Sequence, residues 1–236
     1  PYFSALLDRG LSQTSIRTYY TGVRAFVRWL QEEEYIDTPV RLPQVRREHK
    51  LIRPLSPEDI RRILKSFDRS FLGTRNRTII RVFYDTAIRL SELTGLAVDD
   101  LDLKEGFLLI RGKGRRERWV PFGHRTSREL RAYLARRTAI KAVCRQVFVT
   151  RSGTALEPHT IQTLCRRLRK DLGLDRLNPH LLRHSSALSF IDQGGNAFAL
   201  QRLLGHADTQ MTNRYVSMSR EDLRRAHMSA SPGDLV

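Results

Sequence analysis

The sequence predicts a mainly helical protein that also carries a small antiparallel β-sheet. Apolar residues recur at helical spacing over residues 12–34 and again over 158–172. Residues 106–122 alternate in hydrophobicity around a Gly112–Gly114 turn, which is the pattern of two short strands joined as a hairpin. The chain has 236 residues, of which 40% are hydrophobic. This is enough for one full core and a small second domain.

The N-terminal part is predicted to hold one long amphipathic helix followed by a linker. Ser12 is a suitable N-cap for the helix at 12–34, because its hydroxyl can accept a hydrogen bond from the first turn. Residues 37–55 contain three prolines and no hydrophobic period. Proline and the residue before it avoid helix, so we expect a helical domain at 1–38 and an extended linker at 39–55.

A second domain is predicted to begin at Ser56. Ser56 can cap a helix, Pro57 suits its first position, and Glu58 suits the positive end of the helix dipole. Ser91 is predicted to cap a further helix, with a bend at 89–91. The other predicted helices lie at 78–88, 158–172, 178–194, 196–204 and 208–216.

Charge is the most informative feature of the composition. Lys and Arg number 42 against 25 Asp and Glu, which gives a net charge of +17 and a pI near 10.9. The cations are spread over residues 40–225 rather than gathered in a tail, so the folded surface itself should attract a polyanion. No run of about 18 apolar residues and no export signal is present. These observations favour nucleic acid as the partner and argue against a membrane.

The sequence predicts no metal and no cofactor. Cys144 and Cys165 are too few for a disulfide framework and form no zinc-binding spacing. His180 and His184 stand four residues apart, but Leu181 occupies the position where a zinc protease needs Glu. The acidic run at 99–103 has no histidine or glutamate companion and is more typical of a turn than of a two-metal site.

Several residues are candidates for phosphate chemistry. His180 and Arg183 lie three apart near a helix N-terminus, where backbone N–H groups and a guanidinium favour an anion. Arg89 follows an apolar helix, and Lys113 stands between two glycines at a hairpin tip, where it can reach into a groove. Taken alone, each of these residues is more typical of a solvated cation or a helix cap.

Tyr215 is the last residue of the sequence "LLGHADTQMTNRY". It can serve as a nucleophile or pack against Met211 on the same helical face.

Seven further cations are candidates for binding the DNA backbone. Alternatively, they form ordinary solvated surface. These residues are Arg115, Arg116, Arg118, Arg166, Arg167, Arg169 and Lys170.

Taken together, these motifs resemble those of the tyrosine recombinase (phage integrase) family. "TAIRLSEL" corresponds to Thr-Gly-Leu-Arg-x-Ser-Glu-Leu, with Ala87 in place of the glycine. "GKGRRERWVP" resembles the Gly-Lys-Gly-x-x-x-Arg-x-Val-Pro hairpin, and "NPHLLRHSSA" resembles the Pro-His-x-Leu-Arg-His box. The last motif is Leu-Leu-Gly-His followed nine residues later by Tyr. The likeness spans residues 55–217.

The resemblance implies a site-specific recombinase that cuts and rejoins DNA through a covalent 3′-phosphotyrosyl intermediate, without metal or ATP. It implies that Tyr215 is the nucleophile and that Arg89 and Arg183 clamp the phosphate. His180 is then the base and Lys113 the acid, and His206 stabilises the phosphate.

The resemblance also sets the expected domains and partners. The catalytic domain would span 56–217, after a partial core-DNA-binding domain at 1–38, and the tail at 218–236 would dock on a neighbouring protomer. The expected partners are double-stranded DNA and further copies of the chain, as a dimer on each site and a tetrameric synapse, with accessory DNA-bending proteins in some systems. The expected location is the cytoplasm, on the nucleoid of a bacterium or in a phage-infected cell. Two alternatives stay open, a type IB topoisomerase and a non-catalytic DNA-binding protein of the same fold.

Overall fold

A computed structural model describes residues 5–6, 8–40, 42, 53–112 and 117–205. The chain divides into two compact units, Pro1–Arg53 and Pro54–Val236. In the first unit, helix α1 (Gln13–Glu32) begins as predicted, because Ser12 Oγ accepts a hydrogen bond from Ser15 N at 3.1 Å. The predicted boundaries at 38 and 55 remain predictions, since most of the linker lies outside the described residues.

Within the described residues, the second unit is mainly helical with one small antiparallel sheet, as predicted. Before the sheet come α2 (Pro57–Lys65), α3 (Phe71–Thr86), α4 (Leu90–Gly95) and a 3₁₀ turn at Val98–Asp100. The strands are β1 (Leu101–Asp102), β2 (Phe107–Arg111) and β3 (Glu117–Pro121). After them come α5 (His124–Ala139), α6 (Pro158–Asp171), α7 (Pro179–Asp192) and α8 (Ala197–Leu204).

Helix α3 lies at the centre of this unit and packs against α5 and α7. Its residues Ile79, Ile80 and Phe83 are buried in the main hydrophobic core. Tyr133 on α5 stacks on Phe148, and burial leaves its hydroxyl no water to bind. That hydroxyl instead donates to a backbone carbonyl and accepts from a backbone N–H of the neighbouring 147–149 segment. Helix α3 is therefore held by core packing against α5 and α7.

The sheet is antiparallel in the order β1-β2-β3. In its register Leu108 lies opposite Val120, and Ile110 lies opposite Arg118. Leu108, Ile110 and Val120 are buried in the core. Because side chains alternate along a strand, the side chains of Arg118 and Val120 project from the same face of β3. That face is directed toward the protein, not toward solvent.

Three predicted boundaries differ from the structure, and the turn at Ala87 is the reason for the last two. Helix α3 begins at Phe71, where Ser70 caps it, and ends at Thr86 rather than spanning 78–88. Ala87 ends it by adopting the left-handed conformation, with φ of 50° and ψ of 24°. Helix α4 then begins at Leu90 with Arg89 at the N-cap, so Ser91 lies inside the helix and does not cap it.

The remaining helix predictions fared unevenly. Helices α6, α7 and α8 match the predicted positions within about two residues. Helix α5 was not predicted, because only Thr126, Leu130 and Tyr133 of its arginine-rich sequence are buried. The predicted helix at 208–216 lies outside the described residues. Within the part of the chain that the structure describes, every helix is too short or too polar to cross a bilayer.

Candidate active site

The candidate site is built around the C-terminal end of α8. Gly205 ends this helix in the left-handed conformation, with φ of 62° and ψ of 41°. The carbonyls of a last helical turn have no partner within the helix and form the negative end of its dipole. Such an end attracts cations, and here the cations are arginines.

Three arginines from three different elements donate to three consecutive carbonyls at this helix end. Arg118 lies on the inward face of β3, and its Nε is 2.9 Å from Leu203 O. Arg183 Nη2, from α7, lies 2.9 Å from Leu204 O. Arg89 Nη2, from the α3–α4 turn, lies 3.2 Å from Gly205 O. We call Arg89, Arg118 and Arg183 the arginine cluster. Two residues predicted to act together, Arg89 and Arg183, therefore converge on one place.

The left-handed turn at Ala87 links two members of the cluster. It directs the chain out of α3 so that Arg89 can cap α4. Its carbonyl oxygen also accepts a hydrogen bond of 2.6 Å from Arg183 Nη1. Arg183 is 9% exposed, so its guanidinium is held from two sides in a largely buried position. The same turn thus places one arginine and anchors the other.

Glu92 provides the negative charge at the centre of the cluster. Its side chain is 5% exposed, and its two oxygens each accept a 2.8 Å hydrogen bond from Arg118. Glu92 Oε1 also accepts from Arg89 Nη1 at 3.0 Å, and Oε2 accepts from the Arg89 backbone N–H at 2.7 Å. Burial alone would raise the pKa of Glu92, but these hydrogen bonds and the Arg118 charge lower that pKa to about 2. Glu92 is therefore ionised at neutral pH.

His180 lies at the start of α7. Asn178 caps this helix by accepting a hydrogen bond from Leu181 N at 2.9 Å, and Pro179 occupies its first position. His180 is exposed. It stands one turn before Arg183, which places the two side chains on neighbouring parts of one helical face.

Several predicted site residues lie outside the described residues. They are Lys113, Arg115, Arg116, His206 and Tyr215. Their roles stay predictions. Gly205, the residue directly before His206, is itself in contact with the arginine cluster.

The predicted DNA-binding cations that the structure describes fall into two groups. Those on α6 are exposed along one side of the helix, opposite buried Ile161 and Leu168. They are Arg166, Arg167, Arg169 and Lys170. Arg118 differs, because its side chain is 16% exposed and its guanidinium binds Glu92 and Leu203 O. For both groups, contact with DNA stays a prediction.

The structure adds one residue that sequence reasoning did not single out, which is Glu92. A usable signal was present, since a glutamate three residues after an N-cap commonly accepts a hydrogen bond from the N-cap N–H.

The buried thiol of Cys165 has its pKa raised to about 12 by burial, so it stays protonated. Among the described residues, His, Cys, Asp and Glu form no group of three or more suited to a metal ion.

Comparison with known proteins identifies the family of this chain. The model of the phage integrase family matches residues 53–222, which is most of the chain. The chain belongs to the phage integrase family. Tyrosine recombinase XerC of Pseudomonas aeruginosa is 33% identical over 98% of this chain and 77% of its own length. Tyrosine recombinase XerC of Thermodesulfovibrio yellowstonii is 29% identical over 98% of this chain and 80% of its own length. This integrase-family chain is a site-specific DNA recombinase, an enzyme that cuts and rejoins DNA strands.

Solved structures confirm the fold. The crystal structure of XerA recombinase is 28% identical, with a TM-score of 0.66 over 98% of this chain and 81% of that one. The Tn1549 transposon integrase, solved with a circular intermediate DNA, gives a TM-score of 0.77 over 96% of this chain and 82% of that one. Its identity is 21%, so it supports the fold alone.

Proposed function

We propose that Arg89 and Arg183 hold one DNA phosphodiester while Tyr215 attacks its phosphorus. The observation that carries this proposal is the convergence of the two guanidinium groups on adjacent carbonyls of Leu204 and Gly205. Two groups that reach neighbouring carbonyl oxygens can also reach the two nonbridging oxygens of one phosphate. Arginine suits this task because its planar fork matches phosphate and keeps its charge.

Electrostatic stabilisation is the main contribution expected of the pair. Attack on a phosphodiester concentrates negative charge on the nonbridging oxygens. Donors fixed in advance stabilise that charge without reorganising, and this is usually the largest single catalytic effect. Arg89 is prepared for the role by Glu92 and Gly205 O, and Arg183 by Ala87 O and Leu204 O.

Tyr215 must lose its proton to act as a nucleophile. A phenol with pKa near 10 is only about 0.1% ionised at pH 7, so a base is required. His180 is the proposed base. The phenolate oxygen forms a bond to phosphorus, the bond from phosphorus to the 5′ oxygen breaks, and Lys113 protonates that oxygen. The products are a 3′-phosphotyrosyl link and a free 5′-hydroxyl.

Rejoining follows the same path in reverse. A 5′-hydroxyl from another strand attacks the phosphotyrosyl phosphorus, and Tyr215 leaves as its phenol. The covalent link conserves the bond energy, so neither metal nor cofactor is required. His206 is proposed to stabilise the phosphate and orient Tyr215.

The proposed assembly is a dimer on each double-stranded DNA site and a tetramer when two sites meet. The tail at 218–236 would dock on a neighbouring protomer, and DNA-bending proteins would assist where a site needs them. The exposed cations of α6, together with Arg115 and Arg116, would contact phosphates that flank the cleaved one. The enzyme would act in the cytoplasm, on the nucleoid.

Replacement of the nucleophile tests the proposal. The target site is first located by footprinting the chain on DNA that flanks its own gene, and that duplex is then nicked to trap the covalent product. We expect Tyr215→Phe to bind this DNA as the unaltered chain does and to form no protein–DNA adduct. The matched control is Tyr35→Phe, an exposed tyrosine of the first unit, which should form the adduct at the normal rate. An adduct formed by Tyr215→Phe would rule out the proposed nucleophile.

A further inference from the structure

We infer that Arg118 is a positioning residue that fixes the end of α8 and the guanidinium of Arg89 for DNA cleavage. The inference rests on the proposed function, because positioning matters only if Arg89 holds the phosphate. Arg118 itself would touch neither the phosphate nor the reacting atoms. It acts through two groups, the backbone of α8 and the carboxylate of Glu92.

The Arg118 side chain is directed inward from β3. The register places Arg118 opposite Ile110, which is 1% exposed, and on the same face of β3 as buried Val120. A cation directed inward costs free energy unless it is paired and fully hydrogen bonded. Here Nε, Nη1 and Nη2 each donate a hydrogen bond of 2.8 or 2.9 Å to a protein acceptor. The site is therefore built to hold this guanidinium in one orientation.

Arg118 and Arg89 share the carboxylate of Glu92. Glu92 accepts from both nitrogens of the Arg118 fork and also from Arg89 Nη1. A carboxylate held by a planar fork has a fixed plane, since both oxygens are tied. Arg89 donates to this fixed carboxylate, so the orientation of Glu92 limits where the Arg89 guanidinium can lie.

The guanidinium of Arg118 also contacts Gly205. A Cβ added at Gly205 would lie 3.0 Å from Arg118 Cζ and 3.0 Å from Nη1. The guanidinium therefore packs directly on the α-carbon of Gly205, while Nε binds the carbonyl of Leu203, two residues earlier. Together these contacts fix the backbone at the end of α8, up to Gly205, the residue directly before His206.

Lysine in place of Arg118 separates positioning from charge. Lysine keeps the positive charge but cannot make the two parallel bonds to Glu92 and a third bond to Leu203 O in this geometry. If Arg118 instead contacted DNA phosphate as a simple cation, lysine would serve nearly as well. The conservative substitution is therefore the discriminating one.

The test measures single-turnover adduct formation and DNA affinity for Arg118→Lys, on the nicked duplex that carries the footprinted site. We expect the rate of adduct formation at saturating DNA to fall on the order of 10- to 100-fold, as a shift of about 1 Å can cause. We expect the dissociation constant for the same DNA, and its dependence on salt, to change by less than about threefold. Loss of rate with retained affinity indicates positioning.

Arg137→Lys is the matched control, because Arg137 also donates to backbone carbonyls, those of Cys144 and Gln146, in another part of the unit. It should lose a similar amount of thermal stability and cleave at the unaltered rate. Should Arg118→Lys fail to fold, Gly205→Ala tests the same linkage by displacing the guanidinium, with the same expected split between rate and affinity.

Two results would overturn the inference, and both can be distinguished from failure of the proposed function. Near-normal cleavage by Arg118→Lys or Gly205→Ala would show that the contacts do not position the site. A parallel loss of affinity and salt dependence would make Arg118 a DNA contact. The unaltered chain and Tyr215→Phe are run alongside. If the unaltered chain forms no Tyr215-dependent adduct, the proposed function itself fails.

Discussion

Ala87 illustrates how one residue can meet a structural demand at small cost. It occupies the left-handed conformation, where the family pattern has glycine, and that conformation costs an alanine about 1–2 kcal/mol. Its methyl group is buried beside Ala187 and Leu204, which returns about 0.8 kcal/mol. A smaller loss of chain entropy relative to glycine returns about 0.4–1 kcal/mol. These opposing contributions nearly cancel, so the alanine is tolerated and its carbonyl remains available to Arg183.

Glu92 is the residue whose titration should affect stability. Its pKa is lowered from 4.5 to about 2 in the folded chain. A group with a lowered pKa stabilises the folded state above its unfolded pKa, and that stabilisation is lost as pH falls through the folded pKa. The contribution is therefore complete above about pH 4.5 and disappears toward pH 2.

We predict that Glu92→Gln lowers the free energy of unfolding by about 3 kcal/mol at pH 7, because it leaves Arg118 without its charged partner. The difference from the unaltered chain should shrink as pH is lowered from 4.5 toward 2. Urea denaturation at a series of pH values measures both effects. Glu58→Gln, at an exposed ion pair, should cost less than about 1 kcal/mol at pH 7. A difference for Glu92→Gln that grows on acidification would contradict the assignment.

At the scale of elements, α8 depends on groups outside itself. It is eight residues long, and isolated helices this short are unstable in water. Its own residues Leu200 and Leu204 are buried, and the arginine cluster donates hydrogen bonds to the carbonyls at its end. Gly205 ends α8, and the arginine cluster adds tertiary contacts at that end.

Two glycines allow this dependence to be measured. Gly205 and Gly173 end helices with nearly the same φ, 62° and 60°, but an added Cβ would meet nothing within 4 Å at Gly173. At Gly205 it would meet the Arg118 guanidinium at 3.0 Å. We predict that Gly173→Ala costs about 1 kcal/mol, from backbone strain alone, and that Gly205→Ala costs about 1–2 kcal/mol more. Urea denaturation compares them, and equal losses would show that the Arg118 contact is unimportant.

Local signals in the sequence predicted most elements but not the site's internal connections. Ser12 and Ser56 cap helices as predicted, and Asn178 caps the helix that was predicted to begin at 178, because capping depends on neighbouring residues only. Helix α5 escaped prediction because few of its residues are buried. The pairing of Arg118 with Glu92 joins residues 26 apart in sequence. Only folding brings them together, and an arginine in a basic hairpin is equally typical of a DNA contact.

For the whole molecule, the excess of positive charge is only partly compensated internally. Glu129 pairs with Arg77 and Arg81, and Glu92 with two of the cluster arginines. The cations of α6 are exposed, so they can contribute to binding a polyanion. A net charge of +17 should then make DNA affinity strongly dependent on salt.

We predict that affinity for duplex DNA falls at least about 1,000-fold between 50 and 200 mM salt, as contact with about six phosphates requires. Replacing the four α6 cations by glutamine should reduce the slope of log affinity against log salt by up to about 3.6. The control Arg145→Gln removes an exposed arginine that is paired with Asp99, and should change the slope by less than about one. A flat salt response would contradict the electrostatic account of binding.

The most direct measurement is to identify the atom that carries the DNA in the trapped covalent complex. After nuclease digestion, mass spectrometry of the peptides would locate the residue that retains a nucleotide, and end-labelling would show which DNA end is free. The account predicts a nucleotide joined to Tyr215 through its 3′ phosphate and a free 5′-hydroxyl on the released strand. A nucleotide attached to any other residue, or a free 3′-hydroxyl with a 5′-linked adduct, would contradict it.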